Sequence, residues 1–177
     1  GFLVIADEIQ AGTGRTGKFF SFEHWGFRPD IITLAKGMGG GMPLGAIVAD
    51  ESLANVWKQG THGTTYGGNA VACAAGLAVV NELEKGLLGQ VEKIGKYLRA
   101  KLEALQTKHA GKIIELRGLG LMQGVVLAFP SDTVVKAMLE HHVISNSASG
   151  TVVRIVPPLI AGEAEIDEFV AALDKCL

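Results

Sequence analysis

Charge is scarce in this sequence and evenly signed. Only 19% of the 177 residues are charged, 16 Lys and Arg against 18 Asp and Glu, for a formal net charge of −2. Such a balance offers no basic face to nucleic acid or to an anionic membrane, and both partners are discounted. Cysteine is almost missing. Cys73 and Cys176 are far apart and have no His or Cys neighbours at ligand spacing, which excludes a disulfide framework and a zinc site and fits a reducing cytoplasm. Long apolar runs are also lacking: none approaches the ~18 residues that span a bilayer, and no basic segment precedes the first apolar run. A soluble, untargeted chain is expected.

Small and apolar residues are abundant. Hydrophobic residues make up 48% of the chain, glycine contributes 24 positions, and the mean hydropathy is +0.31. The surface this implies is more apolar than a small soluble monomer usually tolerates, so part of it is expected to be covered by another chain. Residue 1 is glycine, and residues 2–6 already read as a buried central strand with no lead-in. A strand of that kind needs neighbours on both sides. The sequence is therefore expected to begin inside a domain, as a fragment whose upstream half is absent.

The stretch around which the chain is organised is 31–49, IITLAKGMGGGMPLGAIVA. Residues 31–35 predict a short buried strand, apolar and β-branched, stopped by glycines. Lys36 is thus delivered at a strand end. An amine held there against an apolar floor is partly desolvated, which makes its neutral, nucleophilic form more available. Glycines 37, 39, 40 and 41 clear side chains from the wall beside it, so a flat ligand can approach the backbone. Upstream, the strand at 2–6 ends in Asp7, Glu8 and Gln10, polar groups at the carboxyl end, where open α/β sheets place their ligands. The link from the lysine strand to the next strand at 46–49 is too short for a helical crossover, so the two are either antiparallel neighbours or separated by other strands.

Gly12-Thr-Gly-Arg-Thr-Gly17 matches G-x-G-x-x-G, and with Lys18 it nearly completes a phosphate loop, failing at Phe19. Neither match opens a helix with a clean apolar stripe, so both are read as decoys. Arg15 either braces this loop or contacts a second subunit. Residues 61–69, THGTTYGGN, form a hydroxyl-rich loop before an alanine-rich helix at 70–84. Thr65 there could donate to a phosphate or belong to an ordinary N-cap cluster. Ala72, Ala75, Gly76 and Val79 would give that helix a small face for close packing. Residues 88–109 predict a long amphipathic helix with Val91, Ile94, Leu98, Leu102 and Leu105 on one stripe. Strands are expected at 113–117, 121–129 and 152–156, with helices at 133–142 and 163–176. Arg154 lies mid-strand between valine and isoleucine, where a guanidinium needs a carboxylate partner.

These motifs, ADEIQAGTGRTGKFFSFEHWGFRPDIITLAKGMGGGMPLGA, HGTTYGGNAVACAAG, RGLGLMQG and VVRIVPPLI, follow one another along the whole chain. Together they resemble the class III (ω-amino acid) aminotransferases of fold type I, which use pyridoxal 5′-phosphate. HGTTYGGN and VRIVPPL look most like the acetylornithine and ornithine enzymes of that class. The resemblance implies an α/β fold: part of a mostly parallel large domain at 1–86, a connecting helix at 87–110 and a small α+β domain at 111–177. It implies that Lys36 holds the cofactor covalently and later moves a proton at the substrate α-carbon. Asp7 would pair with the pyridine nitrogen, Gln10 with the ring 3-oxygen, and Thr65 with the phosphate of the cofactor in the partner subunit of a homodimer. Arg154 would grip the substrate α-carboxylate. The reaction implied is exchange of an amino group between acetylornithine, or a similar ω-amino donor, and 2-oxoglutarate, within arginine biosynthesis.

Family members also carry an N-terminal half with further strands, the main phosphate loop, an aromatic that stacks on the cofactor and a glutamate that selects substrate. Without them the 177 residues are expected to bind cofactor weakly or not at all and to be inactive alone. Other readings are an aminomutase of the same class, a non-catalytic fragment serving as a dimerisation or packing unit, and, more distantly, a nucleotide-binding domain resting on the glycine loop.

Overall fold

The computed structural model describes all 177 residues, which divide into two units, Gly1–Leu88 and Gly89–Leu177. In the first unit, β1 (Ile5–Asp7), β2 (Ile31–Leu34) and β3 (Ala46–Ala49) form a sheet in that order. β1 runs parallel to β2, pairing Ile5 with Ile31 and Asp7 with Thr33. β3 returns antiparallel, pairing Leu34 with Ala46, so the short link at 35–45 joins direct neighbours.

The expectation of a buried central strand at 2–6 is corrected. The ordered strand is Ile5–Asp7, it lies at the sheet edge, and Phe2 is 100% and Ile5 60% exposed. Apolar composition reports that a strand favours burial; it does not say which element covers it. The central strand is β2, of which only Leu34 is buried.

The lysine loop is seated on α1 (Ala70–Glu82). Asn69 caps this helix, its Oδ1 accepting from the Ala72 amide at 2.9 Å. The predicted small face sets the packing distance. A Cβ on Gly76 would lie 2.6 Å from Leu44 Cδ2, and one on Gly40 would lie 2.9 Å from Val79 Cγ2. The helical path is then broken at Gly86, whose φ of 130° only glycine adopts readily.

In the second unit, α2 (Leu88–Lys108) buries Val91, Ile94, Leu98, Leu102 and Leu105, the whole predicted stripe. An antiparallel sheet follows in the order β4-β5-β7-β6, from β4 (Ile113–Leu119), β5 (Met122–Leu127), β6 (Asn146–Ala148) and β7 (Val152–Ile155). The helices α3 (Asp132–Glu140) and α4 (Glu163–Cys176) complete it. α2 approaches the β4–β5 turn closely because position 95 is glycine: a Cβ there would lie 2.6 Å from Gly120 Cα. Gln123 bridges the contact, its Nε2 donating to the carbonyls of Gly95 and Gly120 at 2.9 Å each. β6 was not expected, since Asn146-Ser147-Ala148 is polar and too short to alternate. No helix is long and apolar enough to cross a membrane.

The end of α2 is tied to α4 by Asp174, which meets His109 Nε2 at 2.6 Å and Lys108 Nζ at 2.6 Å. The His109 contact, followed by Lys108, holds the Asp174 carboxyl below its ordinary value of 3.8. A group depressed on folding stabilises the fold above its unfolded pKa, and that contribution is lost as pH falls through the folded one. Asp174→Asn is therefore expected to lower the urea midpoint near neutral pH, with the gap to wild type closing below 3.8. A gap independent of pH would show that the carboxylate charge is not the cause.

Candidate functional site

Two parallel strands have their carboxyl ends at the same edge of a sheet. β1 ends at Asp7, and two residues past Thr33, its register partner, the backbone reaches Ala35 and then Lys36. With strands about 4.8 Å apart and at most about 3.6 Å of chain per residue, the α-carbons of Asp7 and Lys36 are no more than about 16 Å apart. Asp7 shares a face with Thr33. Its Oδ1 accepts from the Thr33 hydroxyl at 3.3 Å and from the Ile9 amide at 3.1 Å, which aims the carboxylate and leaves Oδ2 for another donor. On the same face Thr33 and Ile47 line an open recess of about 660 Å³ walled by Trp57 and His62, whose rings stand 5.5 Å apart.

Lys36 opens a 3-10 turn over Lys36–Gly39, with its own φ at +51°, in the left-handed region. For a residue with a side chain that conformation costs about 1–2 kcal/mol. Gly40 and Gly41 follow at +57° and +100°. The expected desolvation of the amine is corrected: Lys36 is exposed within this chain. Strand-end placement set its direction, while enclosure depends on surfaces these residues do not supply. Gln10 is half-buried in the turns after β1, and Thr65 is exposed in the loop ahead of α1.

Glu8 was grouped with Asp7 and Gln10 as a strand-end polar residue, and its role was missed. Side chains alternate along a strand, so Asp7 and Glu8 face opposite ways. Glu8 is 2% exposed. It accepts from the Ser21 amide at 2.8 Å, the Ser21 hydroxyl at 2.6 Å and the Phe22 amide at 3.1 Å, while its carbonyl takes the Gly12 amide at 2.9 Å. It thereby ties down the whole glycine loop, in which Thr13 is buried with φ at +53°. Thr13 Cβ lies 4.0 Å from where a Cβ on Gly37 would sit, so this loop underlies the turn that carries Lys36. The loop runs into a 3-10 turn, Ser21–Trp25, and opens no α-helix. Burial also presses the Arg15 guanidinium below its ordinary range.

In the second unit, Arg154 of β7 is half-buried and pairs in register with Gly124 on β5 and Asn146 on β6. No carboxylate of this chain partners it. Arg154 Nε donates to Asn146 Oδ1 at 3.1 Å, and no ion pair includes it. An amide satisfies one donor without neutralising the charge.

A mixed sheet with a carboxylate and a lysine at the carboxyl ends of neighbouring parallel strands defines an α/β protein. The aminotransferase class-III family model matches residues 1–177, and the chain belongs to that family. It is 56% identical over 179 residues to the acetylornithine aminotransferase of Caldanaerobacter subterraneus, a match covering 99% of this chain and 44% of that protein. The acetylornithine aminotransferase of Methanocaldococcus jannaschii is 49% identical over 98% of this chain and 44% of its own length. Among solved structures, the ornithine aminotransferase of Toxoplasma gondii superposes with a TM-score of 0.90 at 32% identity, over 98% of this chain and 42% of its own; PLP partly occupies that enzyme's active site. The chain thus spans less than half the length of these relatives.

Class III aminotransferases are pyridoxal-phosphate enzymes, and the donor set here fits that cofactor. A primary amine suits its aldehyde, a carboxylate suits its ring nitrogen, and the amide of Gln10 stands three residues beyond that carboxylate. Glu8→Gln is expected to destabilise the first unit by about 1–3 kcal/mol, because an amide NH2 would face the Ser21 and Phe22 donors. Urea unfolding followed by Trp25 and Trp57 fluorescence measures it; an unchanged midpoint would remove Glu8 as the anchor of the loop.

Proposed function

We propose that this chain carries the lysine, ring-nitrogen carboxylate and substrate arginine of a pyridoxal-phosphate aminotransferase that moves an amino group from acetylornithine, or a similar ω-amino donor, to 2-oxoglutarate. The observation that carries the reading is the parallel pairing of β1 with β2, which sets Asp7 and Lys36 at one sheet edge. The relatives' names support the donor. Arginine biosynthesis is the corresponding pathway, and the unpaired thiols of Cys73 and Cys176 accord with a cytoplasmic setting.

Pyridoxal phosphate, when bound, supplies an aldehyde carbon and an electron-withdrawing ring. Lys36 would hold the aldehyde carbon through its amine and, once displaced by substrate, would move a proton between the substrate α-carbon and that aldehyde carbon. Asp7 holds the ring nitrogen protonated, its Oδ1 fixed by Ile9 and Thr33. Gln10 contacts the ring 3-oxygen. Arg154 takes the α-carboxylate of donor and acceptor in turn, orienting the bond to be broken.

Thr65 reaches the phosphate of the cofactor in a partner subunit, so the working form is a homodimer. In support, Thr65 lies on an exposed loop with apolar neighbours open to solvent, Tyr66 at 79% and Val71 at 67% exposure. The chain alone binds cofactor weakly, because Lys36 and Thr65 are both exposed in it.

Incubation with pyridoxal phosphate and borohydride, then peptide mass mapping, tests the assignment. Little adduct is expected on the chain alone, and a stoichiometric one at Lys36 when the rest of the relatives' length is supplied. Lys36→Ala should abolish both adduct and amino transfer to 2-oxoglutarate. An adduct that persists in Lys36→Ala, or sits on another lysine, would overturn the reading; cofactor held at Lys36 without transfer to any external acceptor would favour an aminomutase.

A further inference from the structure

The side chain that holds Arg154 is itself unassigned. Arg154 and Asn146 are register partners across β7 and β6, so their side chains share a face of the sheet. Arginine offers only donors, which fixes the Asn146 amide with its oxygen toward Nε, at 3.1 Å, and its NH2 turned away. The Arg154 backbone is held in turn by Ser145, whose hydroxyl donates to the Arg154 carbonyl at 3.1 Å. Both strands border an open cleft of about 440 Å³ whose wall includes Asn146, Arg154, Val156, Pro157, Glu165 and Glu168. Neither glutamate pairs with the arginine. Glu165 is held by the Gly162 amide at 2.8 Å, closing the first turn of α4.

A guanidinium presents two faces to a carboxylate: a side-on fork made by Nε with one Nη, and an end-on fork made by the two Nη nitrogens. Asn146 occupies Nε, which closes the side-on fork. It leaves the end-on fork and the full positive charge. We infer that Asn146 is a positioning residue that directs Arg154 to take the substrate carboxylate end-on, a proposal that rests on the assignment of Arg154 above. An amide suits this place because it accepts from Nε without contributing charge. A carboxylate there would satisfy the same donor and compete with the substrate for the cation.

The test is nuclear magnetic resonance of the 15N-arginine-labelled chain, completed with the rest of the relatives' length and loaded with cofactor, titrated with 2-oxoglutarate. In the wild type the Arg154 Nη signals should move and its Nε–H signal should stay in place. Asn146→Ala should weaken binding about tenfold, the equivalent of one lost orienting hydrogen bond. Asn146→Asp should weaken it further although it keeps an acceptor at Nε. This last comparison separates positioning from mere structure, since a structural acceptor would be improved by the aspartate. Asn146 is exposed, and unchanged β5 and β7 amide signals would verify that the variants fold.

An Nε–H shift on binding, or Asn146→Asp binding as tightly as wild type, would overturn the inference while leaving Arg154 as the carboxylate site. Binding unaffected by Arg154→Ala, or no binding in the wild type, would overturn both.

Discussion

The parallel pairing of β1 with β2 is the constraint on which the site depends. In an antiparallel pair the ends of the two strands would lie at opposite edges, and Asp7 and Lys36 could not serve one ligand. Because the pair is parallel and in register from Ile5–Ile31 to Asp7–Thr33, the two side chains leave the sheet at one edge. Thr33 belongs to this arrangement as well. Its hydroxyl crosses the strand gap to Asp7 and locks the carboxylate to the strand that leads to the lysine.

The lysine turn is supported by glycine and small residues more than by large apolar side chains. Gly40 and Gly76 let the turn approach α1 within a distance that a β-carbon would obstruct. From the other direction the glycine loop, anchored by the buried Glu8, brings Thr13 against Gly37. The segment that looked like a nucleotide loop therefore acts as a brace, and its glycines serve tight turns with φ at 83° and 91° at Gly14 and Gly17.

The second unit places a cation by the opposite means, on a sheet whose central strands bury Val125, Leu127, Val153 and Ile155, in a unit that also buries the α2 stripe. Gly95, Gly120 and Gln123 weld α2 to the β4–β5 turn, and Asp174 ties the end of α2 to α4. On that support Arg154 donates to the neutral amide of Asn146 and forms no ion pair within the unit. A carboxylate partner would have made it an ordinary structural ion pair.

Local pattern by itself determined the elements whose period was long or whose punctuation was strong: the α2 stripe, the closing helix at 163–176, and the lysine at a strand end with glycines after it, while the short link from β2 to β3 excluded a helical crossover and left their adjacency to the fold. These are properties of consecutive residues, and the chain encodes them within one or two turns. Tertiary structure alone decided which strand is central, that Glu8 turns inward while Asp7 turns outward to Thr33, that Lys36 stands exposed, and that Asn146, on a three-residue strand with no apolar rhythm, meets Arg154. Each of these depends on partners tens of residues apart or on surfaces closing over a side chain, and neither is carried by the spacing of neighbours along the chain.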